Sequence, residues 1–118
     1  TLTIGPGAQD PDVGPMITRA AVDRAKDIIS KSESDGTKIL LDGRNVTVEG
    51  YPNGNWLGPT IIDHSGPGKI SFDEEIFAPV MAIVRVDTLK EGIDILNGHR
   101  FGNGVSIFTR SGGNARKF

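Results

Sequence analysis

The 118-residue sequence has no cysteine, one tryptophan, one tyrosine, two methionines and two histidines. Without cysteine the chain holds no disulfide framework, no Cys-ligated zinc and no thiol nucleophile. The compartment stays open on that ground, since a thiol-free chain functions in any of them. Long apolar runs are missing too: nothing approaches the roughly 18 consecutive apolar residues of a membrane-spanning helix. No basic stretch leading into an apolar core marks a signal peptide, so the sequon Asn45-Val46-Thr47 has no secretion signal beside it. An excess of one charge is also absent. Thirteen Lys+Arg against 15 Asp+Glu leave a net charge of −2, which argues against non-specific nucleic-acid binding. Arg110, Arg116 and Lys117 read as the solvated start of a helix.

Glycine and proline are plentiful, 16 and 7 residues, against a usual combined share of roughly an eighth. They predict many tight turns between short elements. With 36% hydrophobic and 24% charged residues the composition is globular, and the length allows one small domain.

The pattern opens with a weak alternation over Thr1-Leu2-Thr3-Ile4 and a polar loop to Gly14-Pro15. A domain rarely begins on half a strand and a long loop, so the chain is expected to be incomplete at both ends. From Thr18 the spacing of Ala21, Ala25, Ile28 and Ile29 predicts a helix, capped by Thr18 and stopped at Gly36. Lys38–Leu41 reads as a strand ending at the turn pair Asp42-Gly43, and Val46 and Val48 as a half-exposed strand. Trp56–Ile62 reads as another strand, interrupted by Gly58-Pro59, and Gly66-Pro67-Gly68 as a turn. Pro79–Val86, almost continuously apolar and β-branched, suits a strand covered on both faces. Thr88 and Glu91 have capping-box spacing ahead of Leu89, Ile93 and Leu96, and Gly98 ends that helix. Val105–Thr109 reads as a strand and Asn114–Phe118 as the opening of a helix. Strand, helix and strand from Pro79 to Thr109 fit a right-handed crossover. The fold class is therefore α/β, with a partly parallel sheet and flanking helices.

Few residues suggest chemistry. Glu74 and Glu75 precede the apolar strand beside Phe77, and a carboxylate there can accept two hydrogen bonds from a vicinal diol or act as a general base. The plainer alternative is that both face water. Gly102-Asn103-Gly104 lacks the third glycine of a dinucleotide loop and precedes a strand, so it reads as a turn that permits positive φ. His64 and His99 have no metal-ligand spacing and read as surface or loop residues. Ser106 and Ser111 have no nucleophile-elbow context, and Trp56 and Phe72 read as packing residues.

Glu74-Glu75-Ile76-Phe77-Ala78-Pro79-Val80 resembles the E-E-x-F-G-P-V motif of the aldehyde dehydrogenase superfamily. Gly14-Pro15-Met16-Ile17-Thr18 and Gly58-Pro59-Thr60-Ile61-Ile62 resemble two further segments of that superfamily, in the same order and spacing. Leu41-Asp42-Gly43-Arg44, Gly50-Tyr51, Asn53-Gly54 and the run from Phe101 to Thr109, continued by Ala115–Phe118, are similar to its methylmalonate-semialdehyde dehydrogenase group. Ala78 stands where that motif carries glycine, which slightly crowds the turn, and Gly98 where asparagine is common.

The resemblance implies that residues 1–118 are a downstream portion of a catalytic domain from a much longer enzyme. That enzyme is expected to oxidise methylmalonate or malonate semialdehyde with NAD through an upstream cysteine. Coenzyme A would then resolve the thioester, releasing CO2 and propionyl- or acetyl-CoA. A hydrolytic branch, such as one acting on succinate semialdehyde, is the alternative; so is an inactive truncated module. By the motif, Glu75 corresponds to the carboxylate on the nicotinamide-ribose hydroxyls and Phe77 to the aromatic beside the nicotinamide. No catalytic residue and no metal ligand is expected within the chain. The implied partners are a small semialdehyde and a homo-oligomer, dimer or tetramer, with no nucleic acid and no membrane. The implied setting is intracellular, in a bacterial cytoplasm or a mitochondrial matrix.

Overall fold

The structure, a computed structural model, describes residues 2–118; the Thr1 end of the expected opening strand lies outside the described residues. The chain divides into two compact units, one ending at Val84 and the other spanning Arg85–Phe118.

The first unit is organised by helix α1, Arg19–Ser34. Thr18 is its N-cap, accepting from the Ala21 N–H, and Gly36 takes the left-handed backbone just past its end. The buried stripe is Val22, Ala25, Ile28, Ile29 and Ser32, so Val22 and not Ala21 opens the apolar face. Ser32 is tolerated inside because its hydroxyl donates to the Ile28 carbonyl at 2.8 Å. Ala25 and Ile29 meet Leu57 and Ile62 in the core, and Met16, Ile39, Ile76, Ala78 and Val80 pack around them. Burying each large aliphatic contributes about 1.5–3 kcal/mol.

Strands β1 (Lys38–Leu41), β2 (Thr60–Ser65) and β3 (Val80–Val84) form a sheet in the order β1-β2-β3. β1 pairs with β2 antiparallel and β2 with β3 parallel, which bears out the partly parallel sheet. The crossover falls earlier than the sequence suggests. A parallel pair needs a connection of a dozen or more residues, and residues 66–79 supply it between β2 and β3 through the short helix α2, Ile70–Asp73. The Ser65 and Ser71 hydroxyls, 2.7 Å apart and buried, tie the end of β2 to α2.

Two other strand expectations are corrected. Val46 and Val48 are half-buried between exposed neighbours, as the alternation suggests, but they belong to no strand. Both edges of β2 are already taken by β1 and β3. Trp56–Pro59 is buried or half-buried yet irregular, and the strand begins at Thr60. Pro59 has no N–H to give a ladder, and the Gly58 N–H goes to the Gly43 carbonyl at 2.9 Å. Gly43 and Gly58 touch backbone to backbone: a Cβ on Gly43 would collide with the Gly58 carbonyl. β3 is not covered on both faces. Met81 is 60% exposed and Ala82 beside it is exposed too.

Arg44 locks the turn after β1 to α1. Its guanidinium holds Asp42 through both carboxylate oxygens and reaches Glu33 at 2.7 Å and the Ser30 hydroxyl at 3.0 Å. Hydrogen bonds from Arg44 hold the Asp42 carboxyl below its ordinary value, and the same contacts raise Arg44.

The second unit contains helices α3, Leu89–Gly98, and α4, Gly112–Lys117. Thr88 accepts from the Glu91 N–H at 3.2 Å, while the Glu91 carboxylate takes the N–H of Asp87, one residue ahead of the cap. Val105–Thr109 is not a strand. Its apolar residues have no ladder partner within the unit, so the crossover expected from Pro79 to Thr109 is not formed. Ser111 caps α4, whose Arg116 and Lys117 lie exposed in its last turn.

Candidate functional site

α2 ends at Asp73, and Glu74–Ala78 carries the chain from it into β3. Along this segment burial alternates. Ile76 and Ala78 are half-buried against the core, while Glu75 and Phe77 are exposed, Phe77 by 86%. Neighbouring exposed positions thus carry a carboxylate and an aromatic ring. No group among the described residues bonds the Glu75 carboxylate, which leaves both oxygens available as acceptors.

Phe77 has φ +53°, a left-handed conformation costly for a bulky residue. Such backbone, of order 1–3 kcal/mol, persists where surrounding structure over-determines it. The downstream side is fixed by the Thr60 N–H donating to the Pro79 carbonyl at 2.9 Å. On the upstream side Arg24 of α1 donates through Nη1 to the carbonyls of Glu75 (3.0 Å) and Ile76 (3.2 Å), and through Nη2 to the Glu74 carboxylate (3.5 Å). Glu74 therefore faces α1 in an ion pair while Glu75 faces solvent. The two acids have different surroundings.

The left-handed residue is Phe77, and the Ala78 methyl packs on the core. The other candidates behave as structural residues. Gly102, Asn103 and Gly104 do not adopt the positive φ that their glycines permit. His64 is exposed at an irregularity of β2 with φ +60°, beside buried Asp63, whose carboxylate accepts the His64 N–H at 2.8 Å. His99 is half-buried at the end of α3. Trp56 is buried, 7% exposed, its indole N–H on the Tyr51 carbonyl at 2.8 Å; Phe72 is half-buried. Among the described residues no group of three or more His, Asp or Glu is placed to hold a metal ion. None of their helices is long and apolar enough to cross a membrane.

Arg24 is the site residue that sequence reasoning missed. Its partners lie 50 to 52 positions away, and nothing local distinguishes it from the other charges on the outer face of α1.

Comparison with known proteins follows the same residues. The pattern of the aldehyde dehydrogenase family matches residues 1–118. The acylating mitochondrial methylmalonate-semialdehyde/malonate-semialdehyde dehydrogenase of Bos taurus is 47% identical over 113 residues, 96% of this chain and 20% of the relative. Its Homo sapiens counterpart is 46% identical over 113 residues, 96% of this chain and 21% of the relative. Among solved structures, the methylmalonate-semialdehyde dehydrogenase of Oceanimonas doudoroffii superposes with TM-score 0.94 at 42% identity, over 99% of this chain and 24% of that one. A structure from Sinorhizobium meliloti 1021 complexed with NAD gives TM-score 0.94 at 36% identity, over the same shares. The chain thus spans about a fifth of the length of the curated relatives it matches, and within that span it belongs to the aldehyde dehydrogenase family.

Proposed function

We propose that this chain supplies part of the cofactor seat of an NAD-dependent, CoA-acylating oxidoreductase that converts methylmalonate or malonate semialdehyde to propionyl- or acetyl-CoA. The observation that carries the reading is the exposed pair Glu75 and Phe77 on a segment held from behind by Arg24. The names of the similar proteins, and the NAD bound in one of them, support the same reading. The word "acylating" in those names favours coenzyme A over water as the acceptor.

The residues present fit the nucleotide. The Glu75 carboxylate with two open acceptors matches a ribose diol, each hydroxyl donating to one oxygen. The exposed Phe77 ring offers an apolar face against which a nicotinamide packs. When bound, NAD supplies the hydride acceptor. Glu75 then fixes the ribose, and Phe77 limits the tilt of the attached ring, so that the reacting atoms are aligned before transfer. The thiol that attacks the aldehyde lies outside these residues, because the chain has no cysteine.

The test is Glu75→Gln in the full-length enzyme carrying this segment. The amide keeps one acceptor and replaces the other with a donor, so hydride transfer slows by about ten- to a hundredfold while overall NAD affinity falls less. Unchanged turnover refutes the assignment. Product analysis in the same assay separates the branches: acyl-CoA and CO2 support the acylating reaction, and the free acid with no dependence on coenzyme A refutes it.

A further inference from the structure

Arg24 grows from the helix whose opposite face, Val22, Ala25 and Ile29, is buried, so its backbone is fixed by the core. Its guanidinium meets the carbonyls of two successive residues, Glu75 and Ile76, at 3.0 and 3.2 Å, and the Glu74 carboxylate at 3.5 Å. The next residue is Phe77, in the left-handed conformation. We propose that Arg24 is a positioning residue of the cofactor seat: its hold on the two carbonyls sets the backbone from which Glu75 and Phe77 project. The proposal rests on the reading of Glu75 and Phe77 as cofactor-binding.

Three features favour this role over that of an ordinary ion pair. The contact with Glu74 is the longest of the three and lies between half-exposed side chains, the kind of pair that adds little. The carbonyl contacts are charge-assisted and directional, and both are made by one guanidinium nitrogen, Nη1, whose two N–H bonds are fixed in the plane of the group, where those of an ammonium rotate. The segment is also anchored at its two ends, by α2 on one side and by the Thr60–Pro79 hydrogen bond on the other, and Ile76 and Ala78 pack on the core, but none of these contacts holds the Glu75 and Ile76 carbonyls. Arg24 grips it between those anchors, directly upstream of the strained residue.

The experiment compares Arg24→Lys, Glu75→Gln and the double variant in the full-length enzyme. The readouts are KM for NAD and the primary deuterium isotope effect on kcat with an aldehyde deuterated at the transferred position. Lysine keeps the charge and loses the fixed plane of the two Nη1 N–H bonds. The expected result is a severalfold rise in KM for NAD and a larger isotope effect, as misalignment makes hydride transfer more rate-limiting. A residue that only stabilised the fold would reduce the yield of active enzyme and leave both readouts alone. In the Glu75→Gln background Arg24→Lys should have a smaller effect than it has alone, since the part carried by Glu75 is already lost and only the part carried by Phe77 remains.

Wild-type behaviour of Arg24→Lys overturns the proposal, as do fully multiplicative effects in the double variant, which signify independent contacts with the cofactor. Glu75→Gln without effect sinks the cofactor reading itself and the positioning role with it. A crystal structure of the Arg24→Lys enzyme isolates the local grip. Phe77 leaves the left-handed region if Arg24 holds it, and an unchanged φ refutes that hold.

Discussion

Replacing Gly43 with alanine is the sharpest test of how the first unit is assembled. The new methyl would collide with the Gly58 carbonyl group and lie 2.7 Å from the Gly58 Cα, where carbon atoms settle at about 3.5–4.0 Å. Those neighbours are backbone, so no rotamer change relieves the clash. The turn at residues 42–44 has to move away from the approach to β2. That movement strains two hydrogen bonds, from the Gly58 N–H to the Gly43 carbonyl (2.9 Å) and from the Gly43 N–H to the buried Thr60 hydroxyl (3.0 Å). Overpacking costs about 1–3 kcal/mol, and each buried bond left unmade costs about 1–3 kcal/mol. The total, about 3–6 kcal/mol with partial relaxation, rivals the whole stability of a small domain. Gly58→Ala should cost less, about 1–3 kcal/mol: its methyl would meet a Val46 methyl at 2.6 Å and the Gly43 Cα at 3.1 Å, so its backbone contact is milder than the one a methyl on Gly43 makes. Gly66→Ala, with nothing within 4 Å and no positive φ, is the control and should be near neutral. Urea unfolding followed by the fluorescence of the single, buried Trp56 measures all three. The reasoning is refuted if Gly43→Ala falls within about 0.5 kcal/mol of wild type, or if Gly58→Ala proves the more damaging.

Arg44→Met should destabilise the chain by about 1–3 kcal/mol at pH 7 through loss of its charge-assisted bonds to Asp42 and Glu33, discounted for partial exposure. Because Arg44 lowers the Asp42 pKa below 3.8, the stabilisation is complete above that value and fades as pH falls through the folded pKa. The gap between wild type and variant should close only in acid below about pH 4; a gap that closes between pH 7 and 5 would refute the pairing. Asp12, lowered by its hydrogen bonds from the Thr3 N–H and hydroxyl, titrates alike in both proteins and cancels. The 118-residue chain alone should form no NADH from methylmalonate semialdehyde, NAD and coenzyme A, as it has no cysteine; measurable turnover would overturn the thiol-dependent mechanism.

The elements legible in the sequence are those whose signal is local. Thr18 and Thr88 sit at N-caps and accept the hydrogen bonds their positions suggest, and Lys38–Leu41 is a strand as read. Periodicity was misleading where partners decide the outcome. Val46 and Val48 alternate correctly in burial without a strand to pair with, and Val105–Thr109 is apolar enough for a strand without forming one. α2 has only four residues, too short to show a helical period, so the crossover it carries leaves no sequence trace. Glu75 and Phe77 stood out because a motif singled them out. Arg24 did not, since a side chain's grip on backbone carbonyls some 50 positions away leaves no local mark.

The displaced crossover also bears on what kind of site this is. In open α/β sheets a ligand usually settles in the crevice outside the carboxyl ends of parallel strands. Glu75 and Phe77 lie instead on the segment that enters β3, at its amino end, and the Gly102–Gly104 turn has none of the left-handed backbone of a phosphate loop. The segment is therefore poorly placed to enclose a dinucleotide by itself. On the proposed reading it presents one carboxylate and one ring to a nucleotide, and the phosphates of that nucleotide are held by other residues. Such a role demands a rigid edge more than a deep pocket, and rigidity is what the strained Phe77, the grip of Arg24 and the Thr60–Pro79 hydrogen bond together provide.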